Sequence, residues 1–282
     1  MVAETTAGVL VETAPAKVNL YLHVTGQRAD GYHLLDSVAV FPRIGDRLEA
    51  EPARGLSLSV GGPFGIDLGT GADNLVLRAA EALAARCGHP GAALRLEKNL
   101  PVAAGIGGGS ADAAAALRLL ARLWRTEAPH RIALSLGADV PVCLGSTPQR
   151  MEGIGERLTP LPALPRAHIV LVNPLVGVPT GAVFAGLQTK ANPPAGPIPK
   201  LLDFADLVGW LARQRNDLEG PARALCPPLG EVLEALAPAP LARMSGSGAT
   251  CFALLPTDAA ADRLAEDIRH QRPGWWVAAA PL

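Results

Sequence analysis

The most informative segment of the sequence is Pro101-Val102-Ala103-Ala104-Gly105-Ile106-Gly107-Gly108-Gly109-Ser110-Ala111-Asp112. It follows a strand-like run that ends near Asn99 and leads into an alanine-rich, helical segment. Glycine adopts positive φ without steric cost and lets backbone N–H groups approach a ligand closely. Ser110 is predicted to cap the helix, with Asp112 in an acidic first turn. Free amides at a helix N-terminus bind anions, so the stretch predicts a phosphate-binding loop.

Three other interpretations of this glycine loop fit the sequence less well. A flexible turn without a ligand accounts for the glycines, but not for their place between a strand and a capped helix. The loop is not a Walker A motif, because no Gly-Lys-Ser/Thr ends it. It is a poor dinucleotide fingerprint, because the glycine spacing differs and no first parallel strand precedes it.

Length and composition limit the function classes. A chain of 282 residues favours two packed domains, and 49% hydrophobic with 18% charged residues is an ordinary globular balance. The 25 basic and 26 acidic residues give a net charge of −1. Binding to nucleic acid or to a membrane surface needs a basic excess, so neither partner is expected.

Four scattered cysteines, none in a CxxC pair, predict neither a disulfide framework nor a structural zinc site. The N-terminus lacks a basic region and a long apolar core, so no signal peptide is predicted. No run of about 18 apolar residues occurs, so no membrane span is expected. We therefore expect a cytoplasmic protein.

Hydrophobic periodicity predicts a mixture of strands and helices. Val18–Val24 alternates apolar and polar side chains, which is typical of a half-buried strand. The proline-rich stretch at 158–165 resembles a domain connection, and 190–200 is predicted to be an exposed loop. Further strands are predicted at 56–60, 92–98, 167–172, 250–255 and 275–279, and helices at 74–87, 110–124, 201–213, 229–236 and 258–270.

Three motifs together resemble one family. The glycine loop is similar to the phosphate-binding motif of the GHMP kinases, named for galactokinase, homoserine, mevalonate and phosphomevalonate kinases. APAKVNL at 14–20 resembles the family's N-terminal motif, and RMSGSGATC at 243–251 resembles its C-terminal glycine motif. The resemblance implies an α+β, two-domain fold. It comprises an N-terminal ATP-binding domain at 1–163 and a C-terminal, ferredoxin-like substrate-binding domain at 164–282.

Further segments narrow the resemblance to one branch of the family. ADGYHLLDS at 29–37, LGADVPV at 136–142 and NDLE at 216–219 resemble the branch whose substrate is a cytidine diphosphate ester of a branched tetritol. That branch uses ATP to phosphorylate the 2-hydroxyl in isoprenoid precursor biosynthesis. Two alternatives stay open: another GHMP kinase, of homoserine or mevalonate type, and a catalytically inactive nucleotide-binding regulator. The oligomeric state is not predicted.

The resemblance implies two catalytic residues. Asp139 is the expected base for the acceptor hydroxyl, and Lys17 would hold the aspartate and the hydroxyl together while lowering the pKa of Asp139. From the residues alone, Asp139 is equally well explained as a local helix cap. Lys17 is explained as a surface lysine at the start of a strand.

Expected ATP contacts come from the glycine loop and one further residue. Asn74 resembles a family position near the adenine, although an asparagine before a helix is also an ordinary cap. Mg²⁺ is expected with ATP, with Ser110 and water as ligands and no dedicated metal-binding residues. The predicted ATP-binding residues are Pro101, Gly105, Gly107, Gly108, Gly109, Ser110 and Asn74.

Four residues are expected to contact the acceptor substrate. Tyr32 offers a ring for stacking on cytosine, and His33 a nitrogen for the base edge, unless it is a turn histidine with its own partner. Asn19 would position substrate or phosphate. Thr180 lies in a segment resembling a substrate contact, or caps the helix that follows. Tyr21 is expected to be a packing residue.

Overall fold

The structure is a computed structural model that describes residues 8–66, 68–71, 73–88, 91–128 and 130–282. Strands predominate at the start of these residues, and helices and strands are mixed in the remainder. The strands are β1 Leu10–Pro15, β2 Val18–Gln27, β3 His33–Val40, β4 Gly45–Pro52, β5 Ser57–Gly61, β6 Ala92–Glu97, β7 Gln149–Gly153, β8 Arg157–Pro160, β9 His168–Asn173, β10 Leu241–Met244, β11 Cys251–Leu255 and β12 Trp276–Pro281. The helices are α1 Leu75–Cys87, α2 Gly108–Leu123, α3 His130–Leu136, α4 Val140–Gly145, α5 Thr180–Ala185, α6 Phe204–Leu211, α7 Glu219–Leu225, α8 Pro228–Leu236 and α9 Asp258–Gln271.

The chain packs into two compact units. The first comprises the described residues up to Ala16, Gly45–Val102 and Gly107–Ser146. Its sheet has the order β1-β4-β6-β5, with β5 parallel to β6 and the other pairs antiparallel. Helix α2 packs on this sheet and on α1. The alanines at 113–116 are fully buried, since small side chains let neighbouring elements approach closely.

The second unit comprises Lys17–Ile44, Ala103–Ile106 and Thr147–Leu282, and it contains two antiparallel sheets. One has the order β2-β3-β7-β8 and the other β10-β11-β9-β12. In the second sheet, helices follow β9 and β11, which produces the βαββαβ order of a ferredoxin-like fold. The predicted α+β class and the ferredoxin-like C-terminal part are therefore confirmed.

Neither compact unit is one continuous stretch of chain. β3 pairs with β2 on one side and with β7 on the other, so residues early in the sequence join the second unit. The boundary at 163/164 stays a prediction about domains along the chain.

Several predicted elements differ from those observed. α2 begins at Gly108, two residues before the predicted cap, and α6 is shorter than the predicted 201–213. Every residue of Val18–Val24 is buried, so the prediction of a half-buried strand was wrong. Residues 190–200 form neither helix nor strand, as predicted. Within the described part of the chain, no helix is long and apolar enough to span a bilayer.

Candidate active site

The N-terminus of α2 has the geometry of an anion-binding site. Gly107 precedes the helix with φ +63°, and no side chain caps the first turn. The first intrahelical bond runs from the amide of Ala111 to the carbonyl of Gly107. The prediction of Ser110 as the cap was wrong, because the left-handed glycine starts the helix earlier. The amides of Gly108, Gly109 and Ser110 precede the first intrahelical donor, which is the arrangement that binds phosphate.

A buried ion-pair network lies beside this helix terminus in the first unit. Lys98 Nζ donates to Asp46 Oδ2 and, at 2.7 Å, to Asp112 Oδ2. Because α2 begins at Gly108, Asp112 lies in the second turn of the helix, where it pairs with Lys98. The prediction of an acidic first turn was therefore wrong. Burial and the nearby Asp46 raise the pKa of Asp112, although Lys98 opposes the shift. Nothing in the local sequence pattern indicated this network.

The middle of the glycine loop packs on the C-terminal glycine motif within the second unit. The Thr250 amide donates to the Ala104 carbonyl at 3.0 Å, and Ser245 Oγ donates to the Gly105 carbonyl at 3.3 Å. A Cβ on Gly105, which has φ +72°, would lie 2.5 Å from the carbonyl oxygen of Gly248. Two motifs that are about 140 residues apart in the chain therefore form one tightly packed backbone cluster.

Ala103, in the glycine loop, has φ +52°, a left-handed conformation that glycine adopts at lower cost. The loop therefore contains a residue with a Cβ in a backbone conformation that favours glycine.

Lys17 and Asn19 are both buried. The Lys17 amide donates to the Ile106 carbonyl at 2.9 Å, so this residue is bonded to the glycine loop. The Asn19 side chain donates to Ser37 Oγ at 2.7 Å, while its amide donates to Ser245 Oγ. Asn19 Oδ1 is buried without a partner among the described residues. An unpaired buried acceptor is costly, which favours a ligand that donates a hydrogen bond to it.

Asp139 lies in the first unit, immediately before α4, and is half-buried. Its side chain makes no capping hydrogen bond, so the explanation of Asp139 as a local cap is wrong. Its role as a base and its partnership with Lys17 stay predictions.

The GYH segment places two aromatic residues differently. Tyr32 follows Gly31, which has φ +90°, and its side chain is 59% exposed. The ring of His33 stacks on Phe184, with centroids 4.8 Å apart and an interplanar angle of 24°. Burial, with a smaller effect of Lys190, lowers the pKa of His33. Its Nε2 has no partner in the described chain, so the interpretation as a turn histidine with its own partner is wrong.

Phe184 is the residue that sequence reasoning missed here, and its only local signal is that the chain contains just five phenylalanines. Tyr21 is fully buried and donates to Asp36 at 3.0 Å, which confirms it as a packing residue. Thr180 is the first residue of α5, and its hydroxyl lies 2.9 Å from that of Ser247. The helix cap is Pro179, so Thr180 is not the cap.

Asn74 caps α1, because its Oδ1 accepts from the amide of Val76 at 2.9 Å. The capping interpretation is confirmed, and the adenine contact stays a prediction. Pro101 is buried.

The NDLE segment supports the C-terminal glycine motif. The Asn216 side chain donates to the carbonyls of Met244 and Gly246 at 2.8 and 2.9 Å, and Glu219 accepts from the Met244 amide. Asp217 accepts from the amide of Val24 at 2.7 Å. These bonds assign the segment a supporting role within the second unit.

The described residues contain no group of three or more His, Cys, Asp or Glu side chains that could hold a metal ion. The Ser110 hydroxyl, which is half-buried in the first turn of α2, is the side-chain oxygen nearest in sequence to the free amides.

Comparison with known proteins gives nearly full-length matches. The family model described as GHMP kinases N terminal domain matches residues 74–147, and that described as GHMP kinases C terminal matches 198–273. A 4-diphosphocytidyl-2-C-methyl-D-erythritol kinase of Cereibacter sphaeroides is 57% identical over 95% of this chain and 98% of its own. One of Dinoroseobacter shibae is 55% identical over 95% and 93%. A crystal structure of 4-(cytidine 5'-diphospho)-2C-methyl-D-erythritol kinase is 36% identical, with a TM-score of 0.78, and the match covers 96% of this chain and 98% of that one.

Proposed function

Because the chain belongs to the GHMP kinase family, we propose that it transfers the γ-phosphoryl group of ATP to the 2-hydroxyl of 4-diphosphocytidyl-2-C-methyl-D-erythritol. The observation that carries the proposal is the 57% identity to a relative of that name over 95% of the chain. The reaction would serve non-mevalonate isoprenoid precursor biosynthesis.

The glycine loop is the phosphate-binding element in this proposal. Phosphoryl transfer requires alignment and charge stabilisation more than covalent help from the protein. The amides of Gly108, Gly109 and Ser110 and the positive end of α2 would stabilise the negative phosphates. These backbone amides belong to a helix terminus that is formed without the ligand, which lowers the cost of reorganisation when ATP binds.

Asp139 is the proposed base and Lys17 the proposed cation of the transfer. The aspartate would accept the proton of the 2-hydroxyl, and the lysine would stabilise charge on the transferring group. Asn19 would accept a hydrogen bond from the substrate through its unpaired Oδ1.

Tyr32, His33 and Phe184 are the proposed cytidine contacts. The exposed Tyr32 ring offers a stacking face, and the His33 ring lies on Phe184. Since the pKa of His33 is lowered, its ring is neutral at pH 7 and has one donor and one acceptor nitrogen. A ring with both can bond the edge of cytosine, which also carries donors and acceptors. Thr180, paired with Ser247, would contact the same substrate.

Mg²⁺ would accompany ATP and would neutralise part of the negative charge of its phosphates. This ion usually keeps several waters and takes few protein ligands, so the Ser110 hydroxyl fits it without a carboxylate cluster. A reducing cytoplasm is the proposed location, because none of the four cysteines forms a disulfide bond among the described residues. No nucleic-acid partner is proposed.

A coupled ADP-release assay tests the function. The cytidine diphosphate substrate, homoserine and mevalonate are each offered with ATP and Mg²⁺, and the product is checked for a 2-phosphate by mass and ³¹P NMR. We expect turnover with the cytidine substrate alone. Turnover with homoserine or mevalonate would favour another GHMP kinase, and ATP binding without turnover would favour the inactive regulator.

A further inference from the structure

The Lys98 triad, defined as Asp46, Lys98 and Asp112, joins the two ends of the glycine loop. Lys98 is three residues before Pro101, where the loop begins, and Asp112 is in α2, which follows it. The side chains of Asp46, Lys98 and Asp112 are 0%, 4% and 5% exposed. All three belong to the first compact unit.

Asp46 also bonds directly to the chain that enters the loop. Its Oδ1 accepts from the amides of Asn99 at 2.6 Å and Leu100 at 2.8 Å, while Oδ2 accepts from Lys98. On the helix side, Lys98 Nζ lies 3.4 Å from the position that a Cβ on Gly108 would occupy. The ammonium group therefore lies beside the residue with which α2 begins.

We propose that Lys98 is a positioning residue for ATP, because its bonds to Asp46 and Asp112 hold the two ends of the glycine loop in register. The proposal rests on the proposed function, since it takes the loop amides as the phosphate site. Lys98 acts through the loop and need not touch the nucleotide.

Stability alone is a poor explanation of this triad. Removing three ionisable groups from water is costly, and well-packed apolar residues often replace such groups without loss of stability. Asp112 Oδ1 moreover has no hydrogen-bond partner within the described chain. The one hydrogen-bond partner of the Asp112 side chain is thus Lys98, among the described residues. This favours a role for Asp112 in holding Lys98 against α2.

The test separates positioning from folding. Lys98→Met removes the ammonium group and should raise the KM for ATP about tenfold or more, the loss typical of charged hydrogen bonds. The KM for the cytidine substrate should change less than about twofold. Leu120→Ala, a cavity in the buried face of the same helix, is the matched control. It should lower the melting temperature but leave the KM for ATP unchanged.

Two isosteric variants provide a second measurement that does not depend on Lys98→Met folding. Asp112→Asn keeps an oxygen for Lys98 and places its NH₂ where Oδ1 has no partner, so it should retain a nearly normal KM for ATP. Asp46→Asn cannot accept from both amides and Lys98 at once, because its NH₂ would face the ammonium. It should raise the KM for ATP as Lys98→Met does.

Equal KM values for ATP in wild type and in folded Lys98→Met would overturn the proposal while leaving the proposed function intact. So would equal effects of Asp46→Asn and Asp112→Asn. A wild-type chain that binds no ATP by calorimetry would overturn the proposed function and this proposal together.

Discussion

Gly105→Ala tests whether the packing of the glycine loop on the C-terminal motif is as tight as the structure shows. The new Cβ would lie 2.5 Å from the Gly248 carbonyl oxygen, 2.7 Å from the Gly248 nitrogen and 2.8 Å from the Ser245 carbonyl oxygen. All three are backbone atoms, so no side chain can rotate away. Gly105 also has φ +72°, which a residue with a Cβ adopts only at a cost.

The magnitude follows from these two costs. The left-handed conformation costs about 1–2 kcal/mol, and displacing packed backbone about 1–3 kcal/mol, so the free energy of unfolding should fall by about 2–5 kcal/mol. Guanidinium unfolding followed by tryptophan fluorescence measures that change. The KM for ATP should also rise, because the displaced loop carries the proposed phosphate donors.

Gly209→Ala is the matched control in the same compact unit. Gly209 is in α6, and a Cβ there meets nothing within 4 Å. Alanine favours a helix over glycine by about 1 kcal/mol, so this variant should be as stable as wild type or more stable, with unchanged kinetics. The packing argument fails if Gly105→Ala unfolds within about 0.5 kcal/mol of wild type, the range of an unconstrained surface position.

Three further predictions concern the base, the cytidine contact and a buried histidine. Asp139→Asn should lower kcat by about 10²–10⁴-fold with little change in ATP affinity by calorimetry, and near wild-type turnover would reject the assignment. Tyr32→Ala should raise the KM for the cytidine substrate about 5- to 150-fold and leave that for ATP nearly unchanged, whereas Tyr32→Phe should cost much less. Equal losses for both substrates would contradict stacking. Burial, aided by Arg215, lowers the pKa of His23 from 6.5 to about 4, so between these values the unfolded chain binds a proton that the folded chain does not. Stability should therefore fall as the pH is lowered through that window, and His23→Gln should flatten the slope in pH-dependent unfolding. An unchanged slope would mean that other titratable groups cause the pH dependence of stability.

Hydrophobic periodicity predicted the helices and strands whose apolar pattern is complete within one short segment of the chain. Periodicity located α1 and α9 within a residue or two, because each helix buries one stripe of its surface. It was wrong about exposure in β2, where Asn19 and His23 are as buried as their apolar neighbours. The Asn19 side chain bonds Ser37 on the neighbouring strand, and the His23 ring accepts from the amide of Arg215, so polarity was no guide to exposure.

In the candidate site, too, local features were predictable from the sequence and contacts between distant residues were not. Glycine content predicted an anion-binding loop, but the helix begins at Gly107 and Gly108 rather than at Ser110, because the backbone conformation of a glycine supplies the start. His33 was identifiable from a motif, whereas Phe184 beneath it was not, since the two are about 150 residues apart.

The glycine loop, the family motifs and the α+β character could be predicted from the sequence, because they depend on residues close together in the chain. Which buried polar groups pair with each other depends on the tertiary structure. Asp46 and Lys98 are 52 residues apart and pair because β4 and β6 are neighbours in one sheet. A charged residue in the sequence does not indicate which residue it pairs with. Burial makes pairing necessary, and the fold determines which residues are close enough to pair.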